Sequence, residues 1–260
     1  MNAVSFTTGA WTMLMSLTHR QLEGELMDDP ALDRKAHQAA LNGLRRINAA
    51  SRTAAALWPR IARIAKARRF SSLSVLDVAT GGGDVAIALA CRARDAGLRL
   101  RIEACDISPT ALHFAQGQAV REKVDVSFFP LDVLEDPLLA RYDIITSTLF
   151  LHHLSDAQIA ALLEKLAAQT DHLLVSDLIR NHTGYGLAYV GTRLLSASKI
   201  VHVDAMRSVR AALTVAEARR LASQAGLQGV RFERHWPSRF MLSWSRNQGV
   251  APMTHQGALP

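Results

Sequence analysis

The strongest constraint on the fold of this chain is a long alternation of short apolar runs and amphipathic stretches that begins at Ser72. The apolar runs predict strands over 73–78, 99–105, 125–130, 142–147, 171–176, 229–235 and 239–244. The amphipathic stretches predict helices over 84–95, 109–121, 155–168 and 214–226. Strands that alternate with helices predict an α/β fold with a doubly wound, mostly parallel, seven-stranded sheet.

The segments on either side of this alternation have other patterns. Residues 31–70 are rich in Ala, Leu and Arg, and their apolar residues recur every three or four positions, which predicts a helical cap of two helices broken near Asn48–Ser51. Residues 1–30 are expected to be a loose N-terminal extension, and residues 248–260 a loose tail. The main domain is therefore expected over residues 71–247.

Length and composition narrow the class of protein. A chain of 260 residues is long enough for one sizeable core, so one site is expected to carry the function. No apolar run approaches the roughly 20 residues that cross a bilayer, so no integral membrane association is expected. The N-terminus lacks the basic region and cleavage site of a signal peptide. Two cysteines, Cys91 and Cys105, form neither a disulfide framework nor a zinc pattern, which predicts a cytoplasmic protein without a metal site.

The net charge of +7 raises the question of a nucleic-acid partner. The basic residues are dispersed, and the one short cluster, RIAKARR at Arg63–Arg69, is typical of a solvated helix face. No recognition module accompanies the charge, so no nucleic-acid partner is expected.

The stretch VLDVATGGGDVAIALA (Val75–Ala90) joins the first predicted strand to a helix through three glycines, which allow a ligand to approach the main chain. Its Gly81-x-Gly83-x-x-Ala86 spacing matches the dinucleotide fingerprint. Two carboxylates, Asp77 and Asp84, flank the glycines, however, and they would repel a diphosphate. A ligand with an ammonium group fits better, and S-adenosylmethionine carries one together with a sulfonium.

Polar residues also follow the next three strands, whose carboxyl ends meet at the ligand-binding edge of such a sheet. Asp106 in ACDIS closes the second strand about 20 residues past the glycines, where a carboxylate accepts hydrogen bonds from ribose hydroxyls. Asp132 in PLDVLE is placed to accept a hydrogen bond from an adenine amino group. The stretch TSTLFLHHL places polar side chains, His152 and His153 beside the expected reactive centre.

Together these four motifs resemble the class I S-adenosylmethionine-dependent methyltransferases, and the VLDVATGGGD loop is most similar to their small-molecule and quinone-biosynthesis branches. The resemblance covers about Ser72–Ser245 and implies a Rossmann-like methyltransferase fold with S-adenosylmethionine as cofactor. The cofactor-binding residues that it implies are Asp77, Gly81, Gly82 and Gly83 near the methionine moiety, Asp106 on the ribose, Asp132 and Val133 around adenine, and in addition Thr80, Ile107 and Thr148.

The reaction is expected to be methylation of a small, hydrophobic or aromatic acceptor, with O-methylation of a hydroxyl favoured and His153 as general base. The LFLHHL stretch differs from the corresponding loop of typical quinone C-methyltransferases, and the Asp/Asn-Pro-Pro-Tyr signature of enzymes that methylate amino groups of nucleic acids is absent. The alternatives are a C-methyltransferase of quinone-biosynthesis type, a nicotinamide-dependent reductase and a non-catalytic cofactor-binding domain.

A partly helical insertion at about 181–212 is expected at the carboxyl edge of the sheet, where it would act as a lid over the acceptor. Arg180 and Arg210 lie at or near it, and they would either meet an acidic substrate or pair with Asp177 and Glu217. The sequence leaves both interpretations open.

Overall fold

The computed structural model of the chain describes residues 17–29, 31–68, 72–138 and 140–246. The strands are β1 (Leu73–Val78), β2 (Leu100–Asp106), β3 (Ser127–Pro130), β4 (Tyr142–Thr148), β5 (Thr170–Leu178), β6 (Arg231–His235) and β7 (Arg239–Ser245). The α-helices are α1 (Arg34–Ala50), α2 (Thr53–Ala67), α3 (Asp84–Asp95), α4 (Pro109–Glu122), α5 (Asp156–Ala168), α6 (His182–Leu195), α7 (Lys199–Ala211) and α8 (Val215–Gln224). Single turns of 3-10 helix lie at Leu26–Asp28 and Leu151–His153. The predicted tail at 248–260 and residues 1–16 of the predicted extension lie outside the described residues.

The seven strands form one sheet in the order β3-β2-β1-β4-β5-β7-β6. Strands β1 to β5 are parallel, and β7 runs antiparallel between β5 and β6. The predicted doubly wound, mostly parallel, seven-stranded sheet is confirmed. The direction in which strands are added reverses between β1 and β4, so the carboxyl ends of these two strands flank the crevice where such sheets bind ligands.

Helices cover both faces of the sheet, and each face has its own apolar core. On one face, α5 and α8 bury Ile159 and Leu221 completely. On the other face, α2 and α3 bury Leu57, Ile61 and Leu89 completely. A sheet covered on both faces explains why its strands were recognisable as short apolar runs. No helix in the described part of the chain combines the length and apolar character needed to cross a membrane.

Local signals fix where the helices begin. Ser155 starts α5 and Thr214 starts α8, each with a complete capping box. Helix α3 begins differently, because its N-cap is Gly83 with φ of 75°, a left-handed conformation that glycine adopts without strain. The glycine loop therefore turns the chain sharply from β1 into α3.

The helical segments outside the sheet meet above its carboxyl edge. Helices α1 and α2 are separated at Ser51–Arg52, where the predicted break was expected and where Arg52 has φ of 55°. Helices α6 and α7 occupy the predicted insertion and pack against each other, and α1 packs on α6. The side chain of Ser196 lies so close to Gly43 that a Cβ at this glycine would be 2.4 Å from its hydroxyl oxygen. This close approach joins α1 to the end of α6.

Residues 17–29, called the N-terminal strap below, are packed against the domain. Arg20 donates from Nη2 to the carbonyl of Leu151 at 3.0 Å, and the main-chain N–H of Leu26 donates to the Asp204 carboxylate in α7 at 2.8 Å. The expectation of a loose extension is wrong for these residues. The segment has few helix or strand signals of its own, and tertiary hydrogen bonds hold it.

Candidate functional site

A cavity of about 1200 Å³ opens at the carboxyl edge of the sheet. The loops after β1, β2, β3 and β4 form one side of it, while α1, α6, α7 and the N-terminal strap cover the other. Pockets for a single small ligand usually measure about 300–1,000 Å³. The cavity therefore has room for a cofactor and a second molecule side by side.

Nine of the eleven residues predicted for the site line this cavity. They are Thr80, Gly81, Gly82, Asp106, Ile107, Asp132, Val133, Thr148 and His153. The two exceptions, Asp77 and Gly83, do not line it. The topology thus brings the four loops together as expected from the switch in strand order.

Asp77 supports the glycine loop from beneath. Its side chain is buried, its Oδ2 accepts a hydrogen bond from the Thr80 hydroxyl at 2.7 Å, and its Oδ1 accepts one from the Thr146 hydroxyl at 2.6 Å. Burial raises the pKa of Asp77 to about 6 in spite of these hydrogen bonds. Because both oxygens are used within the protein, Asp77 holds Thr80 in place rather than facing the cavity.

The three glycines of the loop have different structural roles. Gly81 has φ of 54°, and a Cβ added there would meet no protein atom within 4 Å, so the space beside it belongs to the cavity. At Gly83 a Cβ would lie 2.7 Å from the Cβ of Ala115 in α4, which shows that this glycine is required for helix packing. The sequence pattern grouped these glycines together, but of the three only Gly81 and Gly82 line the cavity.

The carboxylates after β2 and β3 are fixed by main-chain N–H groups close in space. Asp106 accepts from Gly81 N–H at 2.7 Å and from Ser108 N–H at 2.9 Å, which ties the loop after β2 to the glycine loop. Asp132 accepts from Leu134 N–H at 2.9 Å in the turn that follows β3. Both carboxylates line the cavity, so each retains a face for a ligand.

Asp84 is the first residue of α3, and in the described part of the chain one of its two carboxylate oxygens accepts no hydrogen bond. Its Oδ2 accepts a hydrogen bond from the Asn48 side-chain amide at 3.1 Å, whereas its buried Oδ1 and the buried Oδ1 of Asn48 have no hydrogen-bond partner among the described residues. Burial raises the pKa of Asp84 to about 6, against the opposing effects of Asn48 and Arg45. Two orphaned oxygen atoms at the cavity wall suit a ligand with several N–H donors, such as an ammonium group.

The opposite side of the cavity carries a buried ionic cluster. His152 Nδ1 lies 2.7 Å from Asp177 Oδ1, and His152 Nε2 lies 3.6 Å from Glu25 Oε1 of the N-terminal strap. Ser208 of α7 donates its hydroxyl to the same Glu25 carboxylate. Burial alone lowers the pKa of His152, but the carboxylates of Asp177 and Glu25 outweigh it, so the pKa is raised and the imidazole is a cation.

His153 has the opposite protonation state. Burial and the neighbouring His152 cation lower its pKa, so its imidazole is neutral at neutral pH. The two ring centroids are 4.3 Å apart, and both histidines line the cavity. A proton acceptor and a cation therefore stand next to each other, an arrangement that suits a hydroxyl about to lose its proton.

Within the described ranges, the ionic cluster includes the group of side chains whose donor atoms lie close enough together to hold a metal ion. One donor atom each from Glu25, His152 and His153 lie within 4.8 Å of one another. Two carboxylates already neutralise a cation at this position, the imidazolium of His152, which accounts for the arrangement without an ion.

Each of the two strands that flank the switch point is followed by a residue with a left-handed backbone conformation. Ala79 follows β1 with φ of 53°, and Leu149 follows β4 with φ of 56°. Such conformations cost a non-glycine residue about 1–3 kcal/mol, and they concentrate at functional sites. Both residues line the cavity, so the sharp departure of the chain from each strand shapes its walls.

Sequence reasoning missed several polar residues that line the cavity, among them Glu25, Asn48 and Arg239. These three come from the N-terminal strap, from α1 and from the start of β7. None belongs to a motif, and each arrives at the site only through tertiary packing. The one available signal was the presence of polar residues within otherwise apolar segments, as for Arg239 in the strand sequence RFMLSWS.

The two arginines of uncertain role at the insertion are used within the protein. Arg180 forms a bidentate ion pair with Glu217 at 2.7 and 3.0 Å. Arg210 donates to the Tyr185 hydroxyl at 2.9 Å. For Arg180 the structural interpretation is correct.

Comparison with known proteins agrees with this architecture. Residues 75–171 match a family model described as a methyltransferase domain. A curated relative, the release factor glutamine methyltransferase of Flavobacterium psychrophilum, is 36% identical over 83 residues, which cover 32% of this chain. The matched residues span 28% of the length of that relative.

Solved structures resemble the chain over a larger part of its length. The magnesium protoporphyrin IX methyltransferase of Synechocystis PCC 6803, solved with S-adenosylhomocysteine, has a TM-score of 0.52 at 16% identity, with 93% of this chain and 95% of that one covered. A plantazolicin methyltransferase has a TM-score of 0.54 at 18% identity, with coverage of 80% and 74%. An O-methyltransferase family 2 protein of Planctomyces limnophilus, solved with apigenin, has a TM-score of 0.50 at 20% identity, with coverage of 67% and 51%. The likeness to the class I methyltransferase fold is confirmed.

Proposed function

We propose that this chain, whose residues 75–171 match a methyltransferase domain, is an S-adenosylmethionine-dependent methyltransferase that acts on a small hydrophobic molecule. The observation that carries the proposal is one cavity that joins the glycine loop to the paired histidines. Three solved proteins of similar fold are methyltransferases, and two of them were solved with S-adenosylhomocysteine. The structural likeness to these proteins shows the fold, and the activity is inferred from the residues of the cavity.

The residues on the glycine-loop side fit the proposed cofactor. S-adenosylmethionine, when bound, supplies a methyl group on a sulfonium. The orphaned Oδ1 atoms of Asp84 and Asn48 would accept from its ammonium group, and the Gly81 main chain leaves room for its methionine moiety. Asp106 would accept from the ribose hydroxyls, and Asp132 with Val133 would border the adenine. Ile107, which is 67% exposed, and Thr148 complete this wall.

Apolar side chains form much of the acceptor side of the cavity, together with the ionic cluster, Arg239 and polar residues such as Thr192 and Ser238. Helix α1 contributes Leu41, Leu44 and Ile47, while α6 contributes Leu187 and Val190. Such a lining favours a hydrophobic acceptor with one or two polar groups. This is the reason to propose a small aromatic or similarly apolar molecule rather than a charged polymer.

O-methylation is the reaction that the paired histidines support best. The acceptor oxygen forms its bond to the methyl carbon as the bond between that carbon and sulfur breaks, and the hydroxyl proton passes to the neutral His153. The adjacent His152 cation stabilises the negative charge that develops on the oxygen. Asp177 and Glu25 keep His152 protonated, so it does not compete for the proton. The rest of the rate enhancement comes from alignment, which in favourable cases is worth about 7–11 kcal/mol.

The alternatives give different results in a simple experiment. A nicotinamide-dependent reductase would bind NADH, yet the carboxylate of Asp84 at the cavity wall and that of Asp77 beneath the loop oppose a diphosphate. Calorimetry should detect binding of S-adenosylhomocysteine and none of NADH. Turnover with a panel of phenols, monitored as S-adenosylhomocysteine release, should then separate an O-methyltransferase from a non-catalytic binding domain. Transfer of the methyl group to a ring carbon, identified by mass spectrometry and NMR, would instead support the C-methyltransferase alternative.

A further inference from the structure

Arg239 is a buried cation that uses little of its hydrogen-bonding capacity within the described part of the chain. It is the first residue of β7, is 2% exposed and lines the large cavity. Its Nη1 donates to the hydroxyl of Thr53, the first residue of α2. Its Nε–H is buried without a hydrogen-bond partner in the described part of the chain. A guanidinium has five N–H donors in a fixed fork, so most of its donor capacity is unused.

Arg180 shows how this chain treats a buried arginine that has a structural role. That side chain is 5% exposed, close to the value for Arg239. Its Nε donates to Leu17 O at 3.1 Å, its Nη1 donates to Ala212 O at 2.5 Å, and its fork holds both oxygens of Glu217. Within the described ranges, Arg239 has no carboxylate within ion-pair distance.

The unpaired charge of Arg239 is unfavourable in the protein alone. Burial lowers the pKa of Arg239 to about 10, although attraction by Asp177 opposes the effect. The Asp177 carboxylate is already engaged, since it lies 2.7 Å from the His152 ring and accepts from Leu178 N–H at 2.7 Å. Burying a charge without a partner is costly, whereas an anion supplied by a ligand would offset that cost.

The location of Arg239 assigns it to the acceptor side of the cavity. In the sheet order, β7 lies three strands from β1, and adjacent strands are about 4.8 Å apart, so Arg239 stands roughly 14 Å from the strand that leads into the glycine loop. It pairs in register with Leu178 at the end of β5, one residue past Asp177 of the ionic cluster. Trp236 and Pro237, which precede it, line the same part of the cavity.

We infer that Arg239 is a specificity residue that binds an anionic group, most simply a carboxylate, of the methyl acceptor. The inference rests on the proposed function and narrows its substrate class to hydrophobic acids that also carry the group to be methylated. A planar carboxylate matches the free part of the guanidinium fork through two parallel N–H···O bonds. The methionine carboxylate of the cofactor has the same chemistry and is the competing source of the anion.

The test compares two aromatic probes of nearly equal shape, biphenyl-4-carboxylate and biphenyl-4-carboxamide. Their affinities are measured by calorimetry on the full-length protein saturated with S-adenosylhomocysteine. The unmodified protein should bind the carboxylate about 10- to 100-fold more tightly, the range expected for charged hydrogen bonds. Arg239→Met should abolish this preference and leave the carboxamide affinity and the S-adenosylhomocysteine affinity unchanged, because under the inference neither depends on the charge of Arg239. Arg231→Met, an exposed arginine on neighbouring β6, serves as the matched control and should preserve the preference.

Three results would overturn the inference. The first is equal affinity of the unmodified protein for the two probes, which needs no variant at all. The second is an Arg239→Met protein that keeps the carboxylate preference. The third is an Arg239→Met protein that loses S-adenosylhomocysteine affinity instead, which would assign the arginine to the cofactor carboxylate. If Arg239→Met does not fold, Arg239→Lys replaces it, because it keeps the charge but loses the fork and should retain only part of the preference. Failure of the unmodified protein to bind S-adenosylhomocysteine would count against the proposed function and is scored separately.

Discussion

The glycine-loop side of the cavity and its acceptor side are built in different ways. On the first side, Asp106 and Asp132 lie at or near the ends of strands and are held by main-chain N–H groups, as Asp106 is by Gly81 and Ser108. On the second side, Glu25, His152 and Arg239 come from segments more than 80 residues apart, and all three are held by ion pairs or hydrogen bonds to other segments. Cofactor binding should therefore depend on short local motifs. Recognition of the acceptor and the chemistry at it should instead depend on how distant segments of the chain pack together.

If this division is correct, the largest effect should follow from His153→Gln. The variant should lower kcat by roughly 10²- to 10⁴-fold, the usual contribution of a positioned proton acceptor, while S-adenosylhomocysteine affinity stays unchanged. The loss should shrink as the pH approaches about 10, where a phenolic acceptor ionises unaided. Because the pKa of His153 is lowered, its protonation should not cause activity to fall anywhere between pH 6 and 9.

His172→Gln is the control for that experiment. His172 is a half-buried histidine near the start of β5, where it bonds to Ser245 at the edge of the sheet remote from the cavity. Its replacement should leave kcat intact. Full activity of His153→Gln would show that His153 does not accept the proton. Loss of cofactor binding in that variant would show that the two sides of the cavity do not have separate functions.

The converse effect is expected from Asp106→Ala. Loss of charged hydrogen bonds worth about 1.5–3 kcal/mol should weaken S-adenosylhomocysteine binding by about 10- to 150-fold, whereas kcat at saturating cofactor should stay close to that of the parent. Calorimetry and steady-state kinetics measure the two quantities separately. Asp95→Ala, at an exposed carboxylate that bonds to Arg94, is the control.

Asp106 also fixes the glycine loop, so a structural contribution to that loss has to be distinguished. Asp106→Asn keeps an oxygen acceptor for Ser108 N–H but removes the charge. If the Asn variant binds cofactor as tightly as the parent and only the Ala variant is weak, Asp106 acts on the loop and the ribose assignment fails.

The smallest expected effect concerns pH and Asp84. Its pKa is raised to about 6, so the carboxylate is largely protonated below this pH and ionised above it. Only the ionised form attracts an ammonium group, and S-adenosylhomocysteine should therefore bind more tightly at pH 7.5 than at pH 5.5, by about two- to fivefold for a partly exposed pair. Calorimetry at the two pH values measures the ratio.

Asp84→Asn should remove this pH dependence. Asn48 and Arg45 face Asp84, and the pKa of Asp77 beneath the glycine loop is raised to about 6 as well. A dependence that survives in Asp84→Asn would therefore belong to Asp77, and the ammonium assignment would be wrong. Asp156→Asn, which also opens a helix but is exposed, is the matched control.

Much of the fold was predictable because its signals are local. The apolar runs and capping boxes placed the strands and the helix starts to within a few residues, and the glycines marked the turn from β1 into α3. The predicted strand at 229–235 begins later, at Arg231, because Gly229 adopts φ of 71° and is not extended. Asp106, Asp132 and His153 could be predicted to lie near one another because each is at or just after the carboxyl end of a parallel strand, and all three line the cavity.

By itself, the sequence determined the order of strands and helices, the loop that suits a nucleoside cofactor, and the edge of the sheet at which ligands bind. Only the tertiary structure decided that Asp77 and Gly83 are buried beneath the cavity wall, and that Glu25 and Asp177 make His152 a cation beside a neutral His153. It also decided that Arg180 has a carboxylate partner whereas Arg239 has none among the described residues. The physical reason is that periodicity and turn chemistry act over a few residues, whereas burial and charge compensation depend on which distant segments are packed together.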